Sequence, residues 1–167
     1  MAVSTPRGIS HVQPLNALNY DPFERGLLRV TRYIFLGCED AGSLGWQKAV
    51  TVAIERWGDR VGYPVAHLLS KVVTAVLRAR TDGISIHDPF DLNARNEITD
   101  DEVYFMDMLH HMRRDNVDKA RNSVELLTGG RMDPDVIRAG LELSHRFASG
   151  PTASPMPKNV APLHLVS

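Results

Sequence analysis

Glu102, Asp107 and His111 have the residue types that metal or acid–base chemistry needs. Asp107 and His111 stand one helical turn apart, the separation of a carboxylate–imidazole ligand pair on a helix. With Glu102 upstream, they outline the site of a metal-dependent enzyme. His110 cannot join His111 on one ion, because neighbours on a helix diverge by ~100°. Neither an HExxH motif nor a second ligand cluster accompanies them. Histidines at the solvent boundary of a helix are therefore the expected state, and no metal is assigned.

The stretch 91–102, DLNARNEITDDE, has acids at both ends of twelve positions. It resembles an EF-hand calcium loop, which needs oxygen ligands at alternating positions and at the twelfth. Arg95 stands at the fifth position, where a cation would face a cation. Asn96 replaces the turn glycine, and no helix runs directly into the loop. Glu102 also has a simpler use: Thr99-Asp100-Asp101-Glu102 reads as a capping box opening a helix. The expectation is an acidic loop leading into a capped helix.

Nucleophiles fare no better. The single cysteine, Cys38, falls on the inner arc of a helix near its C-terminal end. The dipole there disfavours a thiolate, so a buried, inert thiol is expected. No GxSxG, glycine-rich phosphate loop or cofactor motif is present. The chain leans towards a non-enzymatic protein without a cofactor.

The candidate interaction site is a stripe of arginines. Arg25, Arg29 and Arg32 recur at i, i+4 and i+7, with only Glu24 as a nearby acid and Leu36 extending the row. Guanidinium groups hold carboxylates and phosphates in a bidentate fork. The formal net charge of −1 hides an asymmetry. Residues 1–80 carry ten Lys+Arg against six Asp+Glu, and residues 81–167 carry nine against fourteen. The segment 82–107 holds eight acids opposed only by Arg95. The stripe could meet that segment of a second copy or another acidic protein, or the two halves could face each other within the fold.

The elements that position these groups read as helices. Over 63–80, Val65, Leu68, Leu69, Val72, Val73 and Val76 fall on one arc, opposite His67, Ser70, Lys71, Thr74 and Arg78. This wide aliphatic face needs other helices to cover it. Asp21-Pro22-Phe23-Glu24 opens a helix over 22–37 with Leu27, Val30, Thr31, Ile34, Phe35 and Cys38 inward. A helix over 44–57 places Trp46, Ala49, Val50, Ala53, Ile54 and Trp57 on one arc, and 58–62 breaks it. Ile84-Ser85-Ile86 alternates weakly as a strand would. Helices follow over 99–114, 117–127 and 134–148, the last two forming a hairpin. That hairpin resembles a helix-turn-helix, but its six-residue turn is long. Its second helix sets Arg138, His145 and Arg146 beside Asp135 and Glu142.

The expected fold is all-α: a single-domain bundle of about six helices over 21–149, between a flexible arm at 1–20 and a Pro-rich disordered tail at 150–167. No apolar run of ~18 residues could span a membrane. The lone cysteine suits a reducing cytoplasm. The function expected is that of a helical interaction or regulatory protein that self-associates or binds an acidic partner. A nucleic-acid-binding regulator using the basic N-terminal half is the first alternative, although a pI of about 6.6 supplies no general pull on phosphate. The metal-dependent enzyme is the second.

Overall fold

Local capping signals start both of the helices that frame the candidate sites. A computed structural model describes residues 11–150. Helix α1 (Pro22–Glu39) opens with Asp21 accepting from the Glu24 amide at 2.8 Å, while Glu24 accepts from the Asp21 amide at 2.9 Å. Helix α4 (Asp100–Met112) repeats the device with Thr99 and Glu102. Between them come α2 (Gly45–Trp57) and α3 (Asp59–Ala79); α5 (Val117–Leu127) and α6 (Pro134–Arg146) follow. The described residues form an all-α bundle of six helices.

The aliphatic arc of α3 is its centre. Val65, Leu69, Val72, Val73 and Val76 are wholly buried and Leu68 nearly so. Around them pack Leu27, Ile34 and Phe35 of α1, Phe105 and Leu109 of α4, and Leu143 of α6.

Helix α3 starts four residues earlier than the composition of 58–62 suggests. Only Gly58, at φ +73°, interrupts the chain between α2 and α3. Gly62 is a packing residue rather than a breaker. A Cβ there would stand 2.7 Å from Ala53 C, Ala53 O and Ile54 Cα, so α2 and α3 approach this closely only over a glycine. Pro64 lies inside the helix. The carbonyl that loses its donor belongs to Arg60, an exposed residue. Small residues also govern α2: Ala49 and Ala53 are buried, Trp46 is exposed, and Val50, Ile54 and Trp57 are half-buried.

Four further expectations are corrected. Ile84-Ser85-Ile86 is not a strand, because side chains of α4 bond its backbone instead. The Ser85 amide donates to Asp101 at 2.7 Å, and the Thr99 hydroxyl donates to the Ser85 carbonyl at 2.6 Å. The strands that do form, β1 (Val12–Pro14) and β2 (Glu97–Thr99), pair antiparallel with Val12 opposite Thr99. Within residues 11–20, the described half of the arm, Val12–Pro14 thus pair with β2, and the segment ends at buried Tyr20, whose hydroxyl donates to Asp107 at 2.7 Å. Cys38 is exposed, because α1 outruns the core at its C-terminal end. The last two helices are not a packed hairpin. Helix α5 lies on α4, α6 lies on α3, and the two barely touch. The tail at 151–167 and residues 1–10 lie outside the described residues.

Candidate functional site

The arginine stripe of α1 divides in two. Arg25 and Arg29 are exposed one turn apart, as the periodicity requires. Arg32 is 5% exposed and faces inward, which corrects its place in the interaction site. Its guanidinium forks onto Glu102, Nε to Oε1 at 2.7 Å and Nη2 to Oε2 at 2.9 Å. It also donates to the carbonyls of Ala94 at 3.3 Å and Glu97 at 2.6 Å. The reason is tertiary. The segment between α3 and α4 crosses this part of α1 and turns a surface position into an interior one.

That crossing segment brings Arg95 to the same side as Arg25 and Arg29. A groove of about 150 Å³ is lined by these three, by Arg32 and Asp91, and by Leu15, Leu28 and Pro89. It adjoins a second hollow of about 390 Å³ that shares Leu15 and Arg25 and adds Asn16 and Asn96. Among the described residues, no carboxylate or carbonyl pairs with the guanidinium of Arg25, Arg29 or Arg95. Arg32 is neutralised by Glu102. Asp91 is the one carboxylate in the lining, and its Oδ1 accepts from the Asn93 amide at 2.9 Å. The groove therefore has an excess of positive charge and five-donor forks free to grip oxyanions. The lining of the two hollows contains no histidine, cysteine or hydroxyl side chain.

Glu102, Asp107 and His111 are not brought together. Glu102 is buried on Arg32 and also accepts from the amides of His87 at 3.1 Å and Thr99 at 3.0 Å. Asp107 accepts from Tyr20. His111 lies edge-on to His110, their rings 5.0 Å apart. Among the described residues, no group of three or more His, Cys, Asp or Glu side chains could hold a metal ion. The calcium-loop spacing is undone in the same way. A 3₁₀ turn over Asn93–Asn96 interrupts it, and its twelfth residue faces inward. On α6, Arg138 pairs with Asp135 at 3.1 Å and Glu142 with Lys71, so its outer face is mixed in sign. The Cys38 thiol is held above its usual pKa, by partial desolvation first and by Glu39 second, and is protonated at neutral pH.

A second charge cluster, which local spacing does not announce, joins the start of α1 to the end of α4. Glu24 is 0% exposed and accepts from Arg113 at 2.6 Å and Arg114 at 2.5 Å, with His110 Nδ1 at 3.0 Å. Asp21 holds the same two arginines at 3.0 and 3.2 Å. Together with Arg80–Asp101 at 2.7 Å and Arg32–Glu102, these pairs join the two halves of opposite charge inside one chain.

Burial alone would raise the Glu24 and Asp21 carboxyls, but the hydrogen bonds and cations around them hold both below the usual range. His111 is lowered, by desolvation first and by His110 second. All three groups bind protons more weakly folded than unfolded, so each contributes stability that acid removes. His111 acts first, as pH falls below its ordinary 6.5, and the carboxyls act below about 4.5. A thermal-melting series should show the His111→Gln variant flat between these values where the native chain already declines. Coincident profiles in that window would remove the histidine step.

Set against known proteins, the chain matches no family model, no curated protein and no solved structure.

Proposed function

We propose that this chain is a non-enzymatic interaction or regulatory protein of a reducing cytoplasm, and that it holds an acidic protein surface in the groove of Arg25, Arg29 and Arg95. The observation that carries this reading is the convergence of three guanidinium groups without carboxylate partners on one groove. Among the described residues no helix is long and apolar enough to cross a membrane.

Exposed ion pairs are worth at most ~1 kcal/mol each, so three of them should change affinity by roughly one to two orders of magnitude. The test is fluorescence anisotropy with a labelled polyglutamate peptide. The variant Arg25→Glu/Arg29→Glu/Arg95→Glu should bind it roughly ten to a hundred times more weakly at low salt, with the gap closing at high salt. Equal binding by both proteins would overturn the reading. A labelled DNA duplex of equal charge, if bound far more tightly than the peptide, would replace it with the nucleic-acid alternative.

Self-association is favoured by one further feature. Asp88, Asp91 and Glu97 are exposed on the segment that carries Arg95. Cations and acids side by side make a patch that two copies can satisfy reciprocally about a two-fold axis. Sedimentation should then show a dimer that dissociates as salt rises and that the triple variant cannot form.

A further inference from the structure

The arginine groove does not end in polar surface. Along α1, Arg25, Arg29 and Tyr33 follow one another at i, i+4 and i+8; the two arginines are exposed and Tyr33 is buried, 8% exposed. Phe90 stands edge-on to Tyr33, their centroids 5.6 Å apart. Phe90 is 50% exposed and Leu92, two residues on, is 72% exposed. The preceding residue, Pro89, lines the groove itself. The Lys48 Nζ of α2 lies 5.4 Å from the Phe90 ring centroid. A single exposed leucine or phenylalanine needs no explanation. Two of them within three residues, on the segment whose Pro89 and Asp91 line the arginine groove, give this side of the molecule two chemistries close together in the chain.

We infer that the occupant of this surface is a peptide segment combining carboxylates with an apolar side chain: acids over Arg25, Arg29 and Arg95, and an aliphatic or aromatic residue against Phe90 and Leu92. This inference rests on the acidic-partner reading above and narrows it. A free anion would use the guanidinium groups and leave the apolar end in water. From Arg25 to Tyr33 is two helical turns, ~12 Å along the axis. A partner helix spans that distance with residues at i, i+4 and i+8, and an extended segment spans it with i, i+2 and i+4 at ~3.3 Å per residue. Either can set two acids and one apolar side chain in register with these positions. The arginines supply orientation and attraction, and the apolar end selects among acidic partners.

The experiment compares two labelled peptides by anisotropy on the full chain. Both carry the same number of glutamates; one also carries phenylalanine and leucine, and the other has serine in their places. The native protein should bind the apolar version about tenfold more tightly, as expected for partial burial of one or two large side chains. Phe90→Ser/Leu92→Ser should erase that preference and leave the serine peptide's affinity unchanged. The arginine triple variant should weaken both peptides. Equal binding of the two peptides by the native protein would overturn this inference while leaving the acidic-partner reading intact. Binding of neither peptide would overturn both. Because the central comparison uses the native chain, the conclusion does not depend on any variant folding.

Discussion

Glu24→Ala is expected to lower the melting temperature by roughly 6–20 °C. The side chain is fully buried, and the guanidinium groups of Arg113 and Arg114 and the ring of His110 converge on it from α4 and the residues just after it. Its removal leaves Arg113, which is 6% exposed, with Asp21, the Phe147 carbonyl and the face of the Phe23 ring as partners. Breaking a buried pair by removing one member costs about 3–5 kcal/mol, because the surviving charge remains desolvated. In a chain of this length each kcal/mol shifts the midpoint by roughly 2–4 °C. Glu24→Gln should fall between, since glutamine keeps the capping reach to Asp21 but not the charge. The control is Glu142→Ala, which breaks the exposed pair with Lys71 and should cost no more than ~1 kcal/mol. If the two alanine variants melt together, the buried cluster contributes no net stability.

Glu24 also shows where the sequence is legible and where it stops. Its local role, as the third residue of a capping box, follows from Asp21-Pro22-Phe23-Glu24 alone. Its partners Arg113 and Arg114 lie about ninety positions away, and no periodicity reports them. Glu102 repeats the case: a complete local explanation at Thr99 conceals a buried fork to Arg32. The aliphatic arc of α3 was legible because six residues agree on one face and no neighbour can reverse that. Arg32 was not, because its surface position on α1 is covered by a segment from beyond α3. Cys38 failed for the opposite reason, since the inward arc of α1 continues past the edge of the core that it was meant to enter. Gly62 read as a breaker because composition cannot show that α2 passes within van der Waals range. In the sequence Arg95 reads as the residue that spoils a calcium loop, not as part of the arginine stripe. The one clue to its role was that it is the sole cation in an acidic run.

Glu102→Ala should cost more than Arg32→Ala, although they break the same ion pair. Without Arg32, the Glu102 carboxylate keeps the amides of His87 and Thr99. Without Glu102, Arg32 retains only the carbonyls of Ala94 and Glu97, the Thr99 cap loses its reciprocal bond, and the backbone at His87 is unmoored. Both losses should fall near 3–5 kcal/mol, with Glu102 at the upper end. The double variant should be less damaging than the sum of the two by about 0.5–3 kcal/mol, since the second change removes a charge the first had orphaned. Arg32 has a further consequence for binding. The carbonyls it holds flank Arg95, so the fork fixes the turn that presents Arg95 to the groove. Arg32→Lys keeps the charge but cannot span Glu102 and two carbonyls at once. At a temperature well below its melting point, this variant should stay helical by circular dichroism and still lose polyglutamate affinity. Melting curves and anisotropy on the native chain and the four variants decide the matter. Additive stabilities would show that the pair is not coupled. A lysine variant with native affinity would show that Arg95 reaches the groove without help from Arg32.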